Sequence, residues 1–178
     1  RATRLMGFTD VIGRQLYTTE QRAELERCAA SFTYFLRYWC FNNRETGKIQ
    51  AFDTLWPGQA AFAALMETEP WIFALKAGKL GFTELECAYD AWVLRFRQPN
   101  ARVHLFSMDA RAAQSLVGYI RFGLTHLPPW MRLPFATEKA GADTATTLHL
   151  RAGTDDIRTV VSYAAGPHIG KMLANFGA

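Results

Sequence analysis

The stretch from Trp71 to Leu127 constrains the fold more than any other part of the chain, because short apolar runs alternate there with longer helical ones. Trp71–Lys76 (WIFALK) is short enough for a buried strand, and Ala77–Gly81 (AGKLG) is a small-residue turn opening a helix over Phe82–Phe96. After Pro99 and Asn100, Arg102–Ser107 (RVHLFS) reads as a second strand, and Asp109 caps a helix that ends near Leu127, before Pro128 and Pro129. Successive strands joined by helices cross over right-handedly, so this order predicts an α/β fold with a mainly parallel sheet. Further on, Thr146–Leu150 and Ile157–Ser162 flank the turn residues Ala152, Gly153, Thr154, Asp155 and Asp156, the pattern of a strand pair.

Two helices are expected ahead of this core. Thr18 followed by Gln21 has the form of a capping box, and Leu25, Cys28, Phe32, Phe35, Leu36 and Trp39 recur at helical spacing up to about Phe41. That spacing predicts one long amphipathic helix whose aromatic stripe packs against the α/β domain. Asn42, Asn43 and Gly47 break the pattern, Pro57 suits the first turn of a short helix running to about Glu67, and Pro70 closes it. The organisation expected is a helical preface over residues 1–50 and an α/β domain over 51–178.

Composition excludes several classes. The 178 residues, 49% of them hydrophobic and 20% charged, suffice for one domain with a substantial core. No apolar run approaches the roughly 20 residues of a membrane-spanning helix. Cys28, Cys40 and Cys87 form no CxxC, the usage of a reduced intracellular protein. His104, His126, His149 and His168 are too scattered to predict a metal cluster. A net charge of +4 suits a polyanionic partner without identifying one. The chain begins at Arg1 with no signal-like segment, which suggests a piece of a longer polypeptide.

The loop Lys76-Ala77-Gly78-Lys79-Leu80-Gly81-Phe82-Thr83 carries the candidate chemistry. A turn between the end of a strand and the start of a helix presents free backbone N–H groups and the positive end of the helix dipole, which suit a phosphate chain. Gly78 and Gly81 allow close backbone approach, Lys76 and Lys79 can neutralise phosphate, and the Thr83 hydroxyl can ligate magnesium. The pattern GxxxxGK[ST] is not met, because Phe82 stands where lysine would precede Thr83. A tight turn with two surface lysines is the plainer alternative.

In its context the loop resembles the deviant Walker A segment of the large subunit of viral DNA-packaging terminases, a P-loop ATPase family in which the lysine can open the loop. The family form Lys-Ala-Arg-Gln-Leu-Gly-x-Thr is met at Lys76, Ala77, Leu80, Gly81 and Thr83, with Gly78 and Lys79 replacing Arg and Gln. Trp56-Pro57-Gly58-Gln59 is similar to the family's aromatic-Pro-x-Gln element, which contacts adenine, and Leu127-Pro128-Pro129-Trp130-Met131-Arg132 resembles a stretch after its second strand. The likeness covers about 52–134 well and the rest loosely.

The resemblance implies a three-layer P-loop NTPase-like fold and ATP with Mg2+ as ligands. Lys76 would be the leading phosphate lysine and Lys79 a second phosphate contact or charge sensor. Ala77, Gly78, Leu80, Gly81 and Phe82 would shape the loop, Thr83 would hold magnesium, and Trp56, Pro57 and Gln59 would border adenine. The whole protein would drive double-stranded DNA into a capsid, as a homo-oligomer with portal protein and small terminase subunit, in the host cytoplasm. The family's catalytic acids come after a strand pair and a glycine-rich loop, which Ile157–Ser162 and Gly166-Pro167-His168-Ile169-Gly170-Lys171 resemble. The chain ends at Ala178 before them, so the domain is expected to be incomplete and a poor hydrolase.

Asp109, at the end of an apolar run, imitates a Walker B aspartate, but no glutamate follows it and an N-cap is the expected role. Arg95 and Arg97 read as a solvated helix end. Two other classes stay open: a nucleic-acid or partner-binding module without ATPase activity, and a different P-loop translocase or helicase.

Overall fold

A computed structural model describes residues 17–43, 46–52, 54–136 and 144–165. The glycine-rich segment Gly166–Lys171 lies outside the described residues.

Thr18 forms the expected capping box: its hydroxyl accepts from the Gln21 N–H, and the Gln21 side chain accepts from the Thr18 N–H. Helix α1, Thr19–Ala30, then stops where one long helix was expected to continue. Ser31 adopts an extended conformation (φ −145°, ψ 126°), and its hydroxyl caps a new, four-residue helix α2, Phe32–Phe35. A single 3-10 turn, Leu36–Tyr38, leads into strand β1, Cys40–Asn42, which pairs antiparallel with β2, Ile49–Ala51. The physical cause is the serine side chain, which competes with the helix for backbone donors. The aromatic stripe nevertheless packs as expected: Phe32, Phe35, Leu36 and Trp39 are fully buried and share one core with Trp92, Leu94 and Leu148. The residues assigned to a preface therefore contribute directly to the core of the α/β domain.

Helix α3 spans Pro57–Thr68, with proline at its first turn as expected. Helix α4, Phe82–Phe96, strand β3, Arg102–Ser107, and helix α5, Ala110–His126, coincide with the sequence expectation. Asp109 caps α5, its carboxylate accepting from the Ala112 N–H at 2.8 Å. Strands β4, Thr147–Arg151, and β5, Ile157–Ala164, form the antiparallel pair expected around the turn.

The sheet order is β3-β5-β4, with β3 and β5 parallel and β4 antiparallel to β5. The fold is α/β with a three-stranded mixed sheet. One sheet face carries Leu148, Leu150, Val160 and Ser162, all buried. The Ser162 hydroxyl donates to the Ala113 carbonyl of α5 at 2.7 Å. From the same face Arg158 donates to the Leu94 and Arg95 carbonyls at the end of α4, at 2.6 and 2.8 Å, while paired with Asp156. Both helices thus cover the side of the sheet that carries these buried residues.

The strand expected at Trp71–Lys76 is not formed. Those residues belong to no helix or strand, every one is exposed, and Trp71, Phe73 and Leu75 are 91, 93 and 94% accessible. Among the described residues their backbone N–H and C=O groups pair with no other backbone group. A short apolar run becomes a strand only when a neighbouring strand completes its ladder, and the parallel partner of β3 is β5 instead.

Candidate functional site

The loop sits between this irregular stretch and α4. Gly81 is the N-cap of α4 and lies in the left-handed region (φ 71°), with no side chain capping the first turn. The opening amides of a 15-residue helix are therefore left without a side-chain acceptor, the arrangement that attracts an anion. Lys79 is also left-handed (φ 60°), so the chain makes two left-handed steps within three residues. A lysine carries a steric cost there that a glycine does not. Gly78 has open space around its Cα.

Gln59 ties the upstream element to the loop. Its amide oxygen accepts from the Trp56 N–H at 3.1 Å, and its amide nitrogen donates to the Leu80 carbonyl at 2.9 Å. One side chain thereby fixes both the start of α3 and the last turn of the loop. Gln59 is only 8% exposed, so its amide is committed to the protein itself, and any adenine contact would use its remaining hydrogen-bonding capacity. Trp56, 61% exposed, stands beside it as N-cap of α3 with Pro57 at the first turn. Phe62 of α3 and Phe82 of α4 add a second tie, their ring centroids 4.9 Å apart.

The lysines take different positions. Lys76 Nζ lies over the Phe82 ring, 5.4 Å from its centroid, an arrangement worth about 0.5–1 kcal/mol at an exposed site. Burial pushes the Glu86 carboxyl upward and the Lys76 charge draws it partly back. Lys76 thus points along α4, toward Phe82 and Glu86. Lys79 and Thr83 are exposed, while Leu80 is half-buried. Among the described residues no group of three His, Cys, Asp or Glu side chains could hold a metal ion. Thr83 offers one exposed hydroxyl in the first turn of α4.

Two features of α4 escaped the sequence reading. Glu86 and Asp90, four residues apart, share one side of the helix, and burial, with the nearby Glu86 charge, pushes the Asp90 carboxyl up to about 7. The i, i+4 acidic spacing was visible, but the surroundings that half-bury Asp90 while Glu86 stays exposed were not. Arg95, expected at a solvated helix end, is instead 4% exposed and donates through Nε to the Met131 carbonyl at 2.8 Å. Burial lowers its pKa to about 10. The cause lies in register: Ala91, Trp92 and Leu94 are all buried, and Arg95 falls on the face they define. Arg97 remains exposed and stacks on Trp92, 4.3 Å from the ring centroid.

No family model matches the chain, and no curated protein matches it significantly.

Proposed function

We propose that the loop Lys76–Thr83 binds the phosphate chain of ATP with magnesium, and that the chain is the ATPase part of a DNA-packaging terminase large subunit. The observation that carries this reading is the Gln59 bridge. Two elements separated in sequence, Trp56-Pro57-Gly58-Gln59 and the lysine-glycine loop, were each singled out by the same resemblance, and one amide side chain ties them together at 2.9 Å. An uncapped helix N-terminus, two nearby lysines and a first-turn threonine supply the donors and charge that a triphosphate requires.

On this reading Lys76 leaves the Phe82 ring to meet phosphate, Lys79 follows as a second contact, and Thr83 completes the magnesium shell. Trp56 offers a ring against which adenine can stack, beside the Gln59 amide. The P-loop NTPase fold, double-stranded DNA, a portal protein and a small terminase subunit as partners, and work in the host cytoplasm all belong to the same proposal. Asp109 is not its magnesium acid, since its carboxylate is spent on the α5 N-terminus.

Competition separates the parts of the site. With a fluorescent ATP analogue bound, inorganic triphosphate with magnesium should displace it and adenosine alone should do so far more weakly. Lys76→Ala should abolish binding of the analogue itself. Displacement by adenosine but not by triphosphate would sink the phosphate-loop reading.

A further inference from the structure

The Gln59 side chain reaches the loop at one atom, the carbonyl oxygen of Leu80. That carbonyl belongs to the same rigid peptide unit as the Gly81 N–H, and in a trans peptide the two groups point in opposite directions. With the Leu80 oxygen drawn toward α3, the Gly81 N–H is turned away from α3. Among the described residues it donates to no backbone group, and no side chain caps the helix that follows. It therefore adds a donor at the end of α4 where the helix dipole is positive.

Glycine tolerates either sign of φ, so the peptide before Gly81 can turn over at little steric cost. Turned over, it would set the Leu80 oxygen, the negative end of the peptide dipole, where the N–H now points. A carbonyl there repels an anion. The Gln59 amide selects the orientation that attracts one, and it is itself firmly held. Its oxygen accepts from the Trp56 N–H, its side chain is buried, and its nitrogen lies against Gly81, 2.9 Å from where a Cβ would stand.

We infer, on the basis of the phosphate-loop reading above, that Gln59 is a positioning residue for the phosphates: it fixes the Leu80–Gly81 peptide with its N–H toward the anion. The resemblance to the packaging family places this residue beside adenine, whereas its two bonds here give it a task at the other end of the nucleotide. Its contribution falls on the triphosphate and is the same whether or not a base is attached.

Titration of inorganic triphosphate and of ATP, each with magnesium, into the isotope-labelled whole chain and into Gln59→Met tests it, at a temperature where both proteins are folded. Methionine keeps the volume of the side chain and loses both hydrogen bonds. In the wild type the Gly81 amide proton should move downfield as inorganic triphosphate saturates the protein, since its N–H gains a charged acceptor. Gln59→Met should bind both ligands more weakly by the same factor, roughly fivefold, the shift in population that one hydrogen bond maintains. A merely structural tie between α3 and the loop would leave the Gly81 proton where it is, and that result would overturn the inference. So would ATP binding that weakens while triphosphate binding does not, which would make Gln59 a base contact, or unchanged binding of both ligands by Gln59→Met. A wild type that binds no inorganic triphosphate would remove the phosphate-loop reading as well.

Discussion

Gly81 and Gln59 should behave as one unit. A Cβ built on Gly81 would lie 2.9 Å from the Gln59 amide nitrogen, closer than real Cβ contacts come, and Gly81 is left-handed at φ 71°. Gly81→Ala therefore has two costs. Holding alanine in the left-handed region costs about 1 kcal/mol. Displacing the Gln59 amide forfeits its bond to the Leu80 carbonyl, about 1 kcal/mol more. For a domain of this size each kcal/mol moves the midpoint by roughly 2–4 °C, so a fall of about 4–8 °C is expected. In a Gln59→Ala background the second cost is already spent, and Gly81→Ala should cost only about 1 kcal/mol, a coupling of about 1 kcal/mol between the two sites. Urea unfolding of the four proteins of this cycle, followed by tryptophan fluorescence, measures it. If the two substitutions add to within about 0.3 kcal/mol, the bridge between α3 and the loop is not what orders them.

Other parts of the structure give three more expected outcomes. Gly123→Ala would drive a Cβ into the Trp39 indole, which is fully buried; overpacking of about 3 kcal/mol against a gain of about 1 in helix propensity should lower the midpoint by roughly 4–8 °C, and an unchanged midpoint would refute that packing. Asp90 has a folded-state pKa raised to about 7, so the folded protein holds a proton that the unfolded chain releases near pH 4. Stability should therefore fall as pH rises from about 4 through 7, and Asp90→Asn should remove that slope when unfolding is measured across the range. Asp156 works in the opposite sense: burial disfavours its charge, but Arg158 and the Asn100 N–H outweigh burial and keep the carboxyl low. Its contribution is present above the unfolded value and lost as pH falls through the folded one, so Asp156→Asn should lose stability at pH 7 and little at pH 2.

The elements legible in the sequence were those whose ends are set by local chemistry. Asp109 before α5, Pro57 at α3, and Pro99 with Asn100 before β3 are punctuation that acts within a few residues, and those boundaries matched. Ser31 was punctuation of the same kind, but the apolar spacing ran through it and concealed a cap with its own bond to the Tyr34 N–H. Trp71–Lys76 shows the opposite limit: periodicity reports that a segment could be a strand, and only a partner distant in sequence makes it one. The same holds for the side chains. The identity of Gln59 suggested hydrogen bonding, yet the Leu80 carbonyl 21 residues away could be found only in three dimensions, as could the burial that took Arg95 from solvent.

The central claim is that Lys76–Thr83 holds the phosphates of a nucleotide. Calorimetric titration of ATP with magnesium into the whole chain, into Lys76→Ala and into Lys79→Ala tests it most directly. The account predicts saturable one-to-one binding by the wild type, at least tenfold weaker binding by Lys79→Ala, about 1.4 kcal/mol, and none detectable for Lys76→Ala. Equal binding by all three proteins, or no heat from the wild type, would contradict it.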